Sequence, residues 1–442
     1  MRIICLLTIL SLSLLFVGCS SDDLVAVDEQ PTHIPAGAYE EECKWIYAQM
    51  NHDYLWREDL PDSASCDYGT DPVTFFKSLL SDKDRFSYCE RNTSYSPPAE
   101  IVNMGFEYQM YSSGADEFAQ VLYVTSQELK RQGLRRGDLV KFDKARIFRG
   151  ELRGNNFIPT DTLEAVEPQG QTSTVYLDSI YYVESKKVGY MCYLEFDDTQ
   201  DLLPVLRKFY DEHIDELVLD LRYNPGGYVS TCKYLTNSIV SEQGYGGIFQ
   251  QCTYNDVLSR EYEAATGSSM TVSTYRKPNN GNTLPGSEMY GLNLKCVYVL
   301  TSRNTASASE AAIICLRPFT DVIVIGEQTV GKGVGSWTIR DERYKYQLQP
   351  ITMRYHNALM ETTPDEGLTP HYYIPDGYST AKRDLGDTAE PLLQCALNQI
   401  RMGEWEMYQG AADATRTAGL EPVGEPSFVT SFRLRRGGGA VR

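Results

Sequence analysis

The stretch Val297–Lys332 constrains the fold more than any other part of the chain. The apolar run Val297-Tyr298-Val299-Leu300 reads as a buried strand, and a polar loop follows it. The small residues Thr305-Ala306-Ser307-Ala308-Ser309 then lead into a helix carrying Ala311, Ala312, Ile313, Ile314 and Leu316. Pro318 closes that helix, and Val322–Ile325 forms the next strand. A strand, a crossover helix and a second strand make a βαβ unit, so the two strands are expected to be parallel and to end at one sheet edge. Ligand chemistry collects at that edge in open α/β sheets.

Two residues of this unit have chemistry to offer. Ser307 falls at a helix N-terminus, where free N–H groups and the helix dipole favour developing negative charge. Lys332 follows it by 25 positions, just past the second strand and between Gly331 and Gly333. A serine–lysine pair requires a neutral lysine, whose pKa must drop from about 10.4 by roughly 3 units, a cost of about 4 kcal/mol that apolar burial can impose. Val322, Val324 and Val330 are suitable neighbours. Taken singly, Ser307 reads as a helix cap and Lys332 as a loop lysine. The five histidines are scattered without a His-Glu-x-x-His pattern, which gives no support to a metallopeptidase. Gly326–Lys332 also fits the start of a phosphate-binding loop, but Gly333 replaces the Ser or Thr that would bind magnesium, and Val334–Thr338 are poor helix formers.

A third segment completes the pattern. Glu216–Tyr228 reads as a strand ending in the turn Asn224-Pro225-Gly226-Gly227, whose glycine amides can face outward. With the Ala308 amide, one of them would make the donor pair of an oxyanion hole. Together, Asp220–Gly227, Thr305–Glu310 and Gly326–Gly333 closely resemble three motifs of the C-terminal processing peptidases, family S41 of the serine peptidases. The resemblance covers about residues 188–400 and implies an α/β, crotonase-like peptidase core. It implies Ser307 as nucleophile, Lys332 as general base, and Ala308 with Gly227 as oxyanion donors, Gly226 being the second choice. Two departures stand out. Ser336 occupies the place, four residues after the lysine, where many members have a Gln or Glu that orients it. The family's G-[IV]-x-P-D reads Gly367-Leu368-Thr369-Pro370-His371.

The whole chain reads as multidomain α+β, since 442 residues exceed one ordinary core. Residues 1–18 are expected to be a lipoprotein signal peptide: an apolar run of about 15 residues ends in Phe16-Val17-Gly18-Cys19-Ser20, which resembles the bacterial lipobox with Cys19 as the lipidated residue. Phe16 stands where leucine is usual, and an ordinary secretory signal is the alternative. Ser20-Ser21-Asp22-Asp23 resembles the acidic export signal of Bacteroidota surface lipoproteins, so the expected location is the bacterial cell envelope, as an outer-membrane lipoprotein at the periplasmic face or the cell surface. A tether (19–36) leads into a small helical domain (37–95), with Trp45, Ile46, Met50, Tyr54 and Leu55 at helical spacings. Residues 96–182 are strand-like and turn-rich. Ser126–Ile147 resembles the signature segment of bacterial PDZ domains, and Met104-Gly105-Phe106 sits where such a domain captures a peptide's C-terminal carboxylate. A β domain without a ligand is the alternative. The core follows over 183–400. Residues 401–442 are expected to be a tail, with its basic run Arg433–Arg436 a solvated terminus without function.

The formal charge of −19 argues against nucleic acid and against an anionic membrane surface, leaving the lipid as the only membrane contact. Beyond Cys5 and Cys19, nine cysteines lack a C-x-x-C pair, which suggests buried thiols with at most one or two disulfides and no zinc site. No metal or cofactor is implied. The expected function is that of a serine endopeptidase acting on unfolded or C-terminally exposed polypeptides, with a non-catalytic peptide-binding surface lipoprotein as the alternative. No feature bears on oligomeric state.

Overall fold

Three glutamates, Glu40, Glu41 and Glu42, open the helix Glu40–Asp53 (α1), where they meet the positive end of its dipole. Cys43, Ile46 and Met50 form its buried stripe. Asp71 accepts the Thr74 N–H at 3.0 Å and starts Pro72–Ser78 (α2), whose proline takes a first-turn position that has no use for an N–H. Tyr88–Arg91 (β1) follows. The computed structural model describes residues 37, 39–91, 104–166, 173–282, 288–402 and 420–435, apart from 115, 144, 342, 380 and 421. Cys19 and the signal and tether segments lie outside the described residues.

A β sheet comes next, built from Phe106–Ser113 (β2), Asp116–Val124 (β3), Leu139–Phe142 (β4), Arg146–Arg153 (β5) and Asn156–Glu164 (β6), with the short helix Gln127–Arg131 (α3) between β3 and β4. Ser126 caps α3 by accepting the Leu129 N–H at 3.3 Å. One tie between this sheet and the elements that follow is the turn at Arg136.

The remaining elements are Val175–Val183 (β7), Lys186–Tyr193 (β8), Leu202–Asp211 (α4), Glu216–Asp220 (β9), Val229–Ile239 (α5), Ile248–Tyr254 (β10), Asp256–Thr266 (α6), Thr271–Thr274 (β11), Cys296–Thr301 (β12), Ala308–Leu316 (α7) and Asp321–Gly326 (β13). After them come Val334–Ser336 (β14), Ile339–Asp341 (β15), Tyr344–Gln349 (β16), Ile351–His356 (β17), Tyr372–Tyr373 (β18), Pro391–Met402 (α8), Pro422–Val423 (β19) and Ser427–Arg435 (α9). The strands expected at Val297–Leu300 and Val322–Ile325 are each one residue longer at both ends.

The central sheet has the order β18-β13-β12-β9-β8-β7. Its pairs from β8 through β18 are parallel, and β7 pairs antiparallel with β8. Side chains alternate across it. Leu217, Leu219, Val297, Val299, Val322 and Val324 share one core with α4, α5 and α7. Val218, Tyr298, Leu300, Ile323 and Ile325 face the other side, against Leu392, Leu393 and Ala396 of α8. Helices on both faces explain why these strands read as unbroken apolar runs. The helical segment at the N-terminus is bound to the core: β1 pairs antiparallel with β16, and Ile46, Met50, Phe75 and Phe76 share a cluster with Val334, Leu348 and Ile351.

One expectation is corrected here. Residues 422–435 are not an unstructured terminus: β19 pairs antiparallel with β2, and Phe428 and Val429 of α9 are buried. The burial of these two apolar residues supplies the free energy to order so short a piece, and a piece so short carries no legible period. The nine described cysteines are free thiols.

Two buried ionic groups fasten the layers. Fully buried Arg222 donates to Glu390 through both Nη atoms, at 2.7 and 2.9 Å, and through Nε to Asp220 at 2.9 Å. Arg136, from the turn before β4, donates to Asp376 at 2.6 Å and to the Tyr223 hydroxyl at 3.0 Å, while Lys382 reaches Asp376 at 2.8 Å. Burial pushes the Asp376 carboxyl up, but Arg136, Lys382 and Arg222 outweigh it and hold the group well below the usual carboxylate range. Replacing Arg222 by Met strands two buried carboxylates. We expect Arg222→Met to lower the unfolding free energy by about 3–5 kcal/mol, read from denaturant melts of parent and variant.

Candidate active site

Ser307 joins the β12 loop to α7 in a conformation that non-glycine residues seldom adopt, φ 56° and ψ −113°. Holding it there costs on the order of 1–3 kcal/mol, which the surroundings must supply. Several contacts do so. Thr305 Oγ1 donates to the Leu221 carbonyl at 2.9 Å, and Ser309 Oγ donates to the Asn224 carbonyl at 3.0 Å, which seat the loop on the end of β9. The Ser307 N–H donates to Glu310 Oε2 at 2.8 Å. Ser307 itself stays half-buried between the buried Ala306 and Ala308.

The Asn224–Gly227 turn packs directly on this serine. A Cβ on Gly226 would stand 2.8 Å from Ser307 Cβ and 3.0 Å from the Ala308 nitrogen. One on Gly227 would stand 2.1 Å from the Phe196 carbonyl oxygen, so neither position tolerates a side chain. The Gly226 N–H donates to Asn224 Oδ1 at 2.9 Å. Of the two glycine amides, that leaves Gly227's as the one not engaged by Asn224. Ala308 is the first residue of α7, and its N–H has no acceptor within the helix.

Lys332 is brought to the same place by Glu310. This carboxylate is fully buried and accepts from Thr329 Oγ1 at 2.5 Å, from the Gly331 and Lys332 amides at 2.8 and 2.9 Å, and from the Ser307 amide. The backbones of serine and lysine therefore share one anion. Gly331, at φ +86°, passes so close to Asp365 that a Cβ would lie 2.1 Å from its carbonyl oxygen. Tyr355 OH donates to the Lys332 carbonyl at 2.6 Å and also reaches that of Ser307 at 3.3 Å. From the N-terminal segment, Arg85 Nη2 reaches the carbonyls of Val330, Gly331 and Asp365 at 3.3, 3.0 and 2.6 Å.

The Lys332 ammonium lies 5.2 Å from the centre of the Phe86 ring. By surface area the residue is half-buried. Burial lowers the pKa below the usual lysine value, the positive charge of Arg433 adds to that, and Glu310 and Asp84 oppose it. The Glu310 carboxyl is raised by its burial, against the four hydrogen bonds that favour its charge.

Of the residues expected at a site, the structure gathers Ser307, Ala308, Gly226, Gly227 and the backbone of Lys332. Among the described residues no hydrogen bond joins Ser307 Oγ to Lys332 Nζ. Ser336 is turned to another partner: its Oγ accepts from Gln349 Nε2 at 3.1 Å. Met104, Gly105 and Phe106 lie at the start of β2, in a different sheet, and the Phe106 ring is a core side chain packed on Phe142. His371 has a structural place: its Nδ1 accepts the Val324 N–H of β13 at 2.8 Å, a bond that a carboxylate oxygen could also accept. Sequence reading assigned no role to Glu310, although its spacing three residues after Ser307, on the first turn of a helix, is a capping-box signal. Nothing local marked Arg85, Phe86 or Tyr355.

Fold and site together define a mixed α/β chain with a serine-centred site at the carboxyl ends of parallel strands. The model of peptidase family S41 matches residues 187–374, and that of the peptidase S41 N-terminal domain matches residues 41–88. The chain belongs to peptidase family S41. It is 26% identical over 153 residues to the carboxy-terminal processing protease CtpB of Bacillus subtilis (strain 168), a match spanning 34% of this chain and 26% of that protein. An S41 protease of Bacteroides fragilis NCTC 9343 has a crystal structure that superposes with a TM-score of 0.67 at 24% identity, over 81% of this chain and 97% of that one. That likeness shows the fold. The photosystem II D1 C-terminal processing protease is also similar, at 15% identity and a TM-score of 0.49, over 80% and 99% of the two chains.

Glu310→Gln turns an amide NH₂ toward donors that have nowhere else to go. We expect it to cost about 1–3 kcal/mol of stability in thermal or denaturant melts. Amide exchange at Ser307, Gly331 and Lys332 should rise more than at the β9 and β12 strands, which a uniform loss of stability would not produce.

Proposed function

We propose that the protein is a serine endopeptidase working through a Ser307–Lys332 dyad on unfolded or C-terminally exposed polypeptides. The observation that carries this reading is the Glu310 carboxylate, which binds the amides of both Ser307 and Lys332. A helix cap and a loop lysine chosen independently have no reason to share a fully buried anion.

In this reaction neutral Lys332 accepts the Ser307 Oγ proton as the oxygen attacks the scissile carbonyl carbon. The carbonyl oxygen becomes an anion held by the Ala308 and Gly227 amides. The C–N bond then breaks, the leaving amine takes the proton from Lys332, and water hydrolyses the acyl-serine. The step requires the Lys332 ammonium to leave the Phe86 ring and meet Ser307 Oγ. Preorganisation rests with the backbone: the strained serine and the glycine turn are already in contact before substrate arrives.

The β2–β6 sheet, as a PDZ-like domain, is assigned the capture of a substrate's extended end. Its support is the Ser126–Ile147 pattern and the position of Met104-Gly105-Phe106 at the start of β2, whose outer neighbour is only the two-residue β19. Lipidation at Cys19 and residence in the bacterial cell envelope rest on the lipobox-like sequence alone. A non-catalytic peptide-binding role is the second reading, favoured by Ser336, which is bonded to Gln349 rather than to the lysine.

Digestion of casein separates the two. The parent should cut it in the presence of a chelator, and Ser307→Ala and Lys332→Ala should each reduce the rate by at least about a thousandfold. Binding of casein without cleavage by the parent would favour the second reading. Because the neutral lysine is the active form, kcat/KM should rise with pH. The midpoint should fall below the ordinary lysine value of 10.5, since burial lowers the Lys332 pKa. A rate independent of pH between about 4.5 and 10 would count against Lys332 as the base, since a buried lysine titrates from about 5 upward.

A further inference from the structure

The strand β19 is not a strand of the folded β domain in sequence; it arrives from the far end of the chain to cover the β2 edge. Its register is antiparallel, Pro422 opposite Tyr111 and Val423 opposite Met110. The chain therefore runs toward the Met104–Phe106 end of β2, the direction an added peptide would take to put its carboxylate there. Gln109 Nε2, on a buried side chain, reaches the carbonyls of Val423 and Gly424 at 3.3 and 3.2 Å. The Tyr108 N–H donates to Ser427 Oγ at 2.8 Å, and that hydroxyl donates in turn to the Glu107 carboxylate. Beyond it, the Phe428 ring stands edge-on to Tyr223, 5.5 Å between centres, one residue before the Asn224–Gly227 turn.

We propose that the β2 edge is the docking strand for substrate polypeptide and that residues 422–428 are its resting occupant, displaced when an extended segment of an unfolded chain pairs there. The occupant is built to leave. Only two residues pair as strand, and Pro422 has no N–H to give to a ladder. Gly424, at φ +67°, turns the chain out of the sheet at once. An extended substrate without that turn would pair along more of the eight-residue strand Phe106–Ser113. Departure of the segment would also bare Tyr223 beside the glycine turn. Docking and the chemical site are thus joined through one short piece of chain.

The proposal rests on the reading of this protein as a peptide-handling one, and its test is made without cleavage. In intact protein carrying Ser307→Ala, binding of a fluorescein-labelled peptide with the sequence of residues 420–435 is followed by anisotropy, alone and with Ser427→Ala or Phe428→Ala added. Each tail variant should bind the peptide at least tenfold more tightly than the Ser307→Ala protein, and unlabelled casein should displace it. Ser427→Ala removes one hydroxyl and keeps the measurement meaningful if Phe428→Ala fails to fold. Hydrogen exchange on the Ser307→Ala protein gives the second reading. Saturating casein should speed exchange at residues 423–429 at least tenfold while Tyr108–Tyr111 stay protected. Equal affinity in all three proteins, no binding by any, or tail exchange unmoved by bound casein would overturn the proposal. None of these outcomes depends on whether Ser307 cuts.

Discussion

The site depends on one buried carboxylate. Glu310 sits on the first turn of α7, where the helix dipole favours a negative charge, and it accepts hydrogen bonds from four donors. Two of those donors are the backbone amides of the serine and the lysine. A buried carboxylate left with so many donors unmade would cost several kcal/mol, so the loop Thr329–Lys332 and the start of α7 have to form as a unit. The strain at Ser307 is then held by the same anion that positions the lysine's backbone. Loss of either partner loosens the other.

A second constraint works at longer range. Arg222 lies two residues before the Asn224–Gly227 turn, and its guanidinium is locked between Asp220 and Glu390. Tyr223, next to it, is bound to the Arg136–Asp376–Lys382 group and touches Phe428. The turn that packs on Ser307 thereby inherits its position from three regions: the central sheet, the β2–β6 sheet and the C-terminal segment. These ion pairs contribute less to net stability than to uniqueness, because the cost of desolvating them is high and a misplaced partner is penalised heavily.

How much of this was legible in the sequence follows from how local each feature is. Ser307 and Lys332 lie on one βαβ unit, so a strand, a helix and 25 positions of spacing were enough to bring them to one edge. The glycine turn was legible because only glycine permits the approach that Gly226 makes to Ser307. Arg85 and Phe86 were not, since their partners are more than 240 positions away and an arginine beside a phenylalanine has no pattern of its own. Tyr355 was hidden for another reason: its partners, 23 and 48 positions away, are backbone carbonyls, which leave no mark in the order of side chains. The pairing of β1 with β16 escaped because a four-residue strand is too short to show alternation. The tail was misread for a related cause: two paired residues and a short helix are held by contacts with β2 and Tyr223, not by any propensity of their own.

These distant contacts change what counts as the site. The lysine's ammonium rests on Phe86 and its loop is gripped by Arg85, both from the segment that reads as an independent helical domain. Arg433, from the opposite end of the chain, reaches the same lysine through its charge. Burial is the largest cause of the lowered lysine pKa, and Phe86, on which the ammonium rests, comes from outside the central sheet. A fragment limited to the parallel sheet and its helices would keep Ser307, Glu310 and the glycine turn while exposing Lys332 to water and returning it toward an ordinary, charged lysine. The backbone placement of Ser307 and Lys332 belongs to one βαβ unit, but the lowered pKa of the lysine depends on side chains from outside it.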